Sequence, residues 1–290
     1  MVSQVYFQMT KNHMRFTEQI VLKFMKEIKK KKRIFVKPNI VSNELYPTTT
    51  HPDALRYVLK NIPKTCKVTV ADGPVPNTPV TRGFDSTKVI DNSPLQKVCR
   101  QLSYKLENLY DLGFEEVRTK SGLKLNVSKV ALECDYMISL PMMKTHCLKS
   151  IGITGALKNN FGLLSAKDRI LLHASEKVPL KRMRKLVRGR KDINLAIAEL
   201  NLIRKPDLFI VDMIDTLIKA NEVRYGGVEK HVGVMLAGKD PVALDCLGLE
   251  LLKKVDPGLK KKKPEDIPAI RHALDLKVGS RDFKKIEIKE

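Results

Sequence analysis

The chain has 290 residues, 43% of them hydrophobic, which is enough to bury a substantial core in one large or two smaller domains. It contains no run of about 18 apolar residues and no secretory signal pattern at its start, so we expect a cytoplasmic protein without a membrane span. The formal net charge is +22, from 54 basic and 32 acidic residues. This excess favours anionic partners such as phosphorylated metabolites or nucleic acid, although a lysine-rich proteome would also produce it.

Short apolar segments alternate with amphipathic segments along most of the chain. Apolar residues at helical spacing predict helices at 14–28, 52–62, 88–104, 192–203 and 242–253. Apolar runs that end at Pro, Gly or Asp predict strands at 34–36, 68–71, 113–117, 123–127, 136–140, 207–211 and 232–236. The alternation predicts one α/β domain over residues 1–290, with a mostly parallel sheet and helices on both faces.

Two strongly charged segments are expected to lie outside this core. Residues 165–191 form a basic stretch in which seven of the eleven residues from Lys181 to Lys191 are Lys or Arg. We expect an exposed excursion here, because a segment charged on all sides has no face to bury. Residues 256–290 include a lysine run at 260–263 and a charged end, and they are expected to form a peripheral tail.

Several predicted strands end in polar or turn-forming residues. In an open parallel sheet the carboxyl ends of the strands share one edge, and ligands bind outside that edge. We therefore predict a site there, with Asn39 and Asp72 among its ligand-binding residues. Asp240, which precedes Pro241, is instead expected to cap a helix. The strands whose ends should meet at this edge are 34–36, 68–71, 136–140, 208–211 and 232–236.

The stretch from Asp135 to Leu164 combines polar residues with glycines. Lys144 and His146 follow its strand, and we predict catalytic roles for them because a histidine titrates near neutral pH and suits proton transfer. A metal ligand and a buried structural histidine are the alternatives for His146. Lysines supply charge, glycines admit close backbone approach and amides hydrogen-bond without charge, which together indicate a cradle for an anion. Its predicted ligand-binding residues are Thr154, Gly155, Lys158 and Asn160.

The sequence offers few metal or cofactor ligands. The five cysteines include no C-x-x-C pair and no spacing typical of zinc or iron–sulfur ligands, so we expect neither an iron–sulfur cluster nor a disulfide framework. A divalent cation is compatible with the sequence, with Asp72 and Asp212 as candidate carboxylate ligands at two strand ends. Cys147 stands out because it directly follows His146.

Six segments together resemble the domain of unknown function 362 family. The resemblance covers residues 33–250 and implies a fold and a set of positions rather than a reaction. Many members of that family carry a ferredoxin-like cysteine cluster, which this chain lacks, so the resemblance implies no iron–sulfur centre here. The family's usual glycine-rich segment is altered at 214–227. The matching segments are VKPN at 36–39, ADGP at 71–74, PMMKTH at 141–146, TGALKNNFG at 154–162, Arg169 with His173, and AGKDPVALD at 237–245.

Three functions are compatible with these observations. The first is an enzyme or binding protein for a small molecule that bears a phosphate or carboxylate, held by Lys144, Lys158 and Asn160 with His146 moving a proton. The second is nucleic-acid binding through the basic surface, although the basic run at 181–191 has no aromatic residue to stack on bases. The third is a redox partner that docks an external iron–sulfur protein, which is suggested by the family resemblance.

Overall fold

The computed structural model describes residues 2–77, 83–177 and 192–289. Its strands are β1 Ser3–Met9, β2 Arg33–Lys37, β3 Lys67–Asp72, β4 Leu106–Asn108, β5 Phe114–Arg118, β6 Lys124–Ser128, β7 Tyr136–Ser139, β8 Lys144–Thr145, β9 Ile153–Thr154, β10 Leu208–Ile218, β11 Val228–Gly238 and β12 Phe283–Glu287. Its helices are α1 His13–Lys23, α2 Met25–Ile28, α3 Pro52–Asn61, α4 Ser86–Asn92, α5 Pro94–Gln101, α6 Lys129–Glu133, α7 Ala156–Asn159, α8 Ala166–Lys177, α9 Ile193–Ile203, α10 Pro241–Leu252 and α11 Pro268–Asp275. Within the described ranges, every helix is too short or too polar to cross a lipid bilayer.

Eight strands form the central sheet, in the order β12-β1-β11-β10-β7-β2-β3-β4. Neighbouring strands from β10 to β4 pair in parallel, as do β12 and β1. Only β11 in this sheet runs antiparallel to both of its neighbours, so the other seven strands point the same way. The prediction of an α/β fold with a mostly parallel sheet is confirmed. The predicted strands at 113–117 and 123–127 form a separate hairpin, β5 with β6.

Helices cover both faces of the sheet, as the sequence predicts. Because side chains alternate along a strand, Ile34 and Val36 of β2 pack under α1, α3 and α5, while Phe35 joins the core on the opposite face, under α7, α9, α10 and α11. The same alternation places Lys37 on the face of Phe35. The strand therefore delivers a lysine to the buried side beneath α7.

The prediction that the strand at 232–236 ends at the same edge as the others is wrong. That strand belongs to β11, which forms a long hairpin with β10, and a hairpin connection requires antiparallel strands. Asp240 consequently lies at the opposite edge, where it caps α10 as predicted by accepting hydrogen bonds from the Val242 and Ala243 amides at 2.9 and 3.1 Å.

The prediction of a peripheral tail over 256–290 is also wrong. Ile270 and Ala273 of α11 are buried in the core beneath α9 and α10, and β12 pairs in parallel with β1. Strand β1, which is not among the strands predicted from sequence, joins the tail to the sheet by pairing with β11 on its other side. The chain ends thus complete the sheet, a long-range pairing that local composition does not reveal.

Two predicted helices are interrupted. The helix predicted at 88–104 is divided into α4 and α5 at Ser93, whose backbone is extended because it precedes Pro94. Ser93 caps α5 by accepting a hydrogen bond from the Leu95 amide. The helix predicted at 14–28 ends at Lys23, and a single further turn, α2, follows Phe24.

The first part of the predicted basic excursion packs against the domain. Asp168 of α8 is buried and accepts hydrogen bonds from the backbone and side chain of Asn126 in β6, at 2.6 and 2.9 Å. These contacts hold the start of α8 over the carboxyl edge of the sheet, so the expectation of exposure is wrong for Asp168 and Arg169. The basic run at 181–191 lies outside the described residues.

The burial of the tail predicts a stability effect. Ile270→Ala should lower the free energy of unfolding by about 2–5 kcal/mol, because it removes a side chain that is 1% exposed and leaves a cavity. Chemical denaturation measures this change. Leu22→Ala, in α1 at a position that is 53% exposed, is the matched control and should stay within about 0.5 kcal/mol of the unmodified protein. Equal, small effects of the two substitutions would contradict an integral tail.

Candidate functional site

A cleft opens at the carboxyl ends of β2, β3 and β7, at the edge where the sequence predicts a site. Its walls come from these strand ends, from α7 and the turn after it, from the start of α8 and from the loop between β10 and β11. The volume is about 80 Å³, room for several non-hydrogen atoms, since one water needs about 10–15 Å³. The polar and aromatic side chains at its walls include Lys37, Asn39, Asp72, Lys144, His146, Cys147, Thr154, Lys158, Asn159, Phe161, Arg169, His173, Asn221 and Glu222.

A buried ion pair forms one wall of the cleft. Lys37 ends β2 and Asp72 ends β3; they are 1% and 2% exposed, and Lys37 Nζ lies 2.6 Å from Asp72 Oδ1. Asp72 also accepts hydrogen bonds from the amides of Gly73 at 2.8 Å and Ile40 at 2.6 Å. Burial lowers the pKa of Lys37, and the charge of Asp72 opposes that shift. The pair ties two adjacent strand ends together within the protein.

Gly162 allows the turn after α7 to lie directly against this pair. A β-carbon at position 162 would be 2.7 Å from Lys37 Nζ and 2.8 Å from Asp72 Oδ1. Those separations are below van der Waals contact, so a larger residue would displace the pair or the turn. Asn159, one residue of α7, completes the contact, with Oδ1 3.5 Å from Lys37 Nζ and Nδ2 donating to Ser139 Oγ at 2.8 Å.

Lys144 is completely buried and lacks a carboxylate partner in the described residues. Its Nζ donates to the Thr48 carbonyl at 2.6 Å, and Asn39 Nδ2 donates to the same oxygen at 2.8 Å. Burial lowers the pKa of Lys144 to about 7, against the opposing charge of Glu222, and the charge of Lys158 lowers it further. This lysine therefore exchanges its proton near neutral pH.

Lys158 and Arg169 lie against the ring of Phe161, with Lys158 Nζ 5.4 Å and Arg169 Cζ 5.6 Å from its centroid. Burial, followed by the charge of Arg169, lowers the pKa of Lys158 to about 8. The Lys158 ammonium makes no hydrogen bond within the described parts of the chain. Arg169 donates from one terminal nitrogen to the Gly73 carbonyl and to Tyr110 Oη, so its hydrogen-bond acceptors within the described residues are neutral.

His146 is held by the backbone that follows it. The Leu148 amide donates to His146 Nδ1 at 3.0 Å, which places the proton of the neutral ring on Nε2. Cys147 Sγ lies 3.8 Å from the same nitrogen, and the Cys147 amide donates to Asn221 Oδ1 at 3.4 Å. The cleft thus combines an imidazole and a thiol with several cationic groups.

The structure brings six of the predicted site residues to the cleft and leaves three elsewhere. Gly155 lies beside Asp245, since a β-carbon there would be 2.3 Å from Asp245 Oδ1, and Asp245 caps α7 through the Ala156 amide at 2.6 Å. Asn160 points away from the cleft and donates to Asn201 Oδ1 at 2.8 Å. Both therefore have packing roles. The six at the cleft are Asn39, Asp72, Lys144, His146, Thr154 and Lys158.

Asp212 is the third predicted site residue that lies outside the cleft, and it is far from Asp72. It lies in β10, three strands from β3, and faces His13, whose Nε2 is 2.8 Å from Asp212 Oδ2. Tyr46 also donates to Asp212, at 3.4 Å. The predicted cation site between Asp72 and Asp212 is therefore wrong. Across the described ranges, no three His, Cys, Asp or Glu side chains are grouped so that they could hold a metal ion.

Several residues that line the cleft are not among the site residues predicted from sequence. Lys37 had a usable signal, because a lysine that closes an apolar strand before a proline is unusual in a buried position. Arg169 was noted as part of the family resemblance, but the basic excursion obscured its burial. Asn221 and Glu222 reach the cleft only through the β10–β11 hairpin, which the sequence analysis did not predict.

A comparison with models of known protein families identifies the family of this chain. A model of the family described as Domain of unknown function (DUF362) matches residues 34–250. The chain belongs to this family. The match includes the DUF362 segments that supply Lys37, Asp72, Lys144, Lys158 and Arg169 to the cleft. No curated protein matches the sequence.

Two solved structures have similar folds. The lactate racemase apoprotein from Thermoanaerobacterium thermosaccharolyticum is 15% identical, with a TM-score of 0.46, and the match covers 82% of this chain and 54% of that one. A protein from Thermotoga maritima is 11% identical, with a TM-score of 0.40, covering 90% of this chain and 59% of that one. This DUF362 chain thus spans little more than half of each structure it resembles.

The buried pair predicts a large effect of removing one partner. Asp72→Ala should lower the free energy of unfolding by about 3–5 kcal/mol, because it leaves Lys37 charged and unpaired in a buried position. The double variant Lys37→Met/Asp72→Ala should be more stable than Asp72→Ala alone, since no charge is then buried. Urea denaturation of both variants provides the comparison. An Asp72→Ala variant within about 1 kcal/mol of the unmodified protein would show that the pair is not a structural requirement.

Proposed function

We propose that the cleft binds a small molecule carrying a carboxylate or phosphate group, and that the protein is an enzyme acting on it. One observation carries this proposal: Lys144, Lys158 and Arg169 all line the cleft, and none has a carboxylate within ion-pair distance in the described part of the chain. Buried charge is costly unless it is paired, so the arrangement favours an anion supplied from outside.

The neutral groups of the cleft support the same proposal. The Thr48, Gly73 and Pro74 carbonyls accept hydrogen bonds from Lys144 and Arg169 without cancelling their charge. Among the described residues Arg169 donates through Nη1 alone, so its guanidinium has donor capacity left for a ligand. A bound carboxylate or phosphate would accept from these groups, and charge-assisted hydrogen bonds are stronger than neutral ones.

Catalysis is supported by groups that exchange protons near neutral pH at the cleft wall. Burial brings the pKa of Lys144 to about 7 and that of Lys158 to about 8. His146 lines the same cleft, with its Nδ1 accepting from the Leu148 amide. A general acid or base works best when its pKa is near the working pH, so Lys144 and Lys158 suit proton transfer to or from the bound molecule.

The proposal predicts separate effects on binding and on folding. Lys158→Ala should weaken the binding of oxalate or inorganic phosphate by about 1.5–3 kcal/mol, the range for a hydrogen bond to a charged group. Its melting temperature should not fall, because Lys158 makes no hydrogen bond or ion pair within the described ranges. Calorimetric titration and thermal unfolding measure the two effects.

Lys149→Ala provides the control for that experiment. Lys149 carries the same charge, lies on the same stretch of chain and is exposed, but it is not part of the cleft wall. It should leave anion affinity unchanged apart from a small long-range effect that salt screens. If Lys149→Ala and Lys158→Ala weaken binding equally, the anion is attracted by net charge and the cleft is not its site. A destabilised Lys158→Ala variant with unaltered affinity would make Lys158 a structural residue.

A further inference from the structure

Lys158 differs from the other cationic side chains of the cleft in having an amine without a hydrogen-bond partner. Lys37 is bonded to Asp72, and Lys144 donates to the Thr48 carbonyl. Lys158 contacts the face of the Phe161 ring and, among the described residues, has no acceptor within hydrogen-bond distance. Its side chain is only partly buried and lines the cleft, so a small ligand can reach Nζ.

The surroundings of this amine favour its neutral form. Burial is the largest influence, and the permanent charge of Arg169 adds to it, which together lower the pKa of Lys158 to about 8. The charges of Cys147 and then Glu222 act in the opposite direction, and Glu222 is itself paired with Arg224 at 2.7 Å. A lysine that is desolvated next to another cation is the usual form of an amine nucleophile, because only the neutral amine has a free electron pair.

Arg169 supplies a fixed positive charge that can bind the anionic group of a reacting ligand. The guanidinium stays charged at all relevant pH values and packs on the same Phe161 ring as Lys158. It therefore offers a site for an anionic group while the neighbouring amine reacts. Because Lys158 Nζ and Arg169 Cζ lie over one ring, 5.4 and 5.6 Å from its centroid, a ligand that meets both must carry its anionic group close to its reactive centre.

We propose that Lys158 forms an imine with a small 2-oxo acid, a molecule whose carbonyl carbon lies next to its carboxylate. This inference rests on the proposed anion-binding function and names its substrate class. The neutral Nζ attacks the carbonyl carbon, a C–N bond forms, and the electron pair of the C=O π bond moves to the oxygen, which takes a proton. The nitrogen then loses one of its two protons, the hydroxyl takes up a second proton and leaves as water, and the nitrogen electron pair forms the C=N bond of a protonated imine. One water is released, and no oxidant or reductant takes part.

His146 is suited to the proton transfers of this reaction. Because the Leu148 amide donates to Nδ1, the neutral ring carries its proton on Nε2. That proton can be given to the carbonyl oxygen and recovered when the imine is hydrolysed, as in general acid and base catalysis. The thiol of Cys147 and the amine of Lys144 line the same cleft but are not required for the balance of the reaction.

Reductive trapping tests the inference. The full-length protein is incubated near pH 8 with pyruvate or glyoxylate and sodium cyanoborohydride, which reduces an imine to a stable secondary amine, and peptide mass mapping locates the adduct. Lys158 should be modified about tenfold or more faster than the exposed Lys149, because far more of its amine is neutral at this pH than in an ordinary lysine. Oxalate, which has no reactive carbonyl, should slow trapping at Lys158 and leave Lys149 unaffected.

The variant Lys158→Arg keeps the positive charge and removes the nucleophile, so the rapid adduct should disappear. Trapping at Lys158 no faster than at Lys149, or an equally rapid adduct on Lys144, would overturn the inference. Oxalate titration of the unmodified protein distinguishes a failure of imine formation from a failure of anion binding. Oxalate binding without selective trapping would remove only the imine step, whereas absence of both would also remove the proposed anion-binding function.

Discussion

Burying a lysine or arginine costs free energy unless another group compensates its charge, and one edge of this sheet imposes that cost fully at Lys37, Lys144 and Arg169 and partly at Lys158. Four cationic side chains meet at this edge: Lys37, Lys144, Lys158 and Arg169. Within the described residues, one carboxylate pairs with them, and it is Asp72, which pairs with Lys37. The charge of Lys37 is compensated by Asp72. The others depend on neutral carbonyls, on lowered pKa values, or on an anion that the protein does not contain. The proposed function follows from this imbalance.

The fold brings these charges together through ordinary features of a parallel sheet. Adjacent parallel strands end at one edge, which places Lys37 beside Asp72 and brings the loop after β7 next to both. Gly162 then allows the turn after α7 to lie within contact of the pair, and Asp168 anchors α8 so that Arg169 covers the cleft. The loop between β2 and α3 serves two clusters, because its Thr48 carbonyl holds Lys144 while its Tyr46 hydroxyl contacts Asp212. A change in this loop would therefore affect both.

The sequence predicts the parts of this structure that depend on local signals. The central strands, the edge of the cleft and residues such as Lys144, His146 and Lys158 follow from apolar runs closed by polar residues. The direction of β11 and the pairing of β1 with β12 depend on contacts between distant segments, which no local pattern encodes. Gly155 and Asn160 show the same limit within the site. They lie in a stretch rich in site residues, yet Asp245 and Asn201, both far along the chain, fix them in packing roles.

Proton uptake on anion binding tests the central claim most directly. Burial brings the pKa of Lys144 to about 7 and that of Lys158 to about 8, so both are charged at pH 6 and largely neutral well above pH 8. An anion favours their charged forms and raises both pKa values, so anion affinity should fall as the pH rises through this window. Calorimetric titration of oxalate in buffers of different ionisation enthalpy should show proton uptake near pH 8 and little at pH 6, and Lys158→Ala should take up fewer protons. Oxalate binding with no proton uptake at either pH would contradict the account, because Lys144 and Lys158 would then not hold the anion.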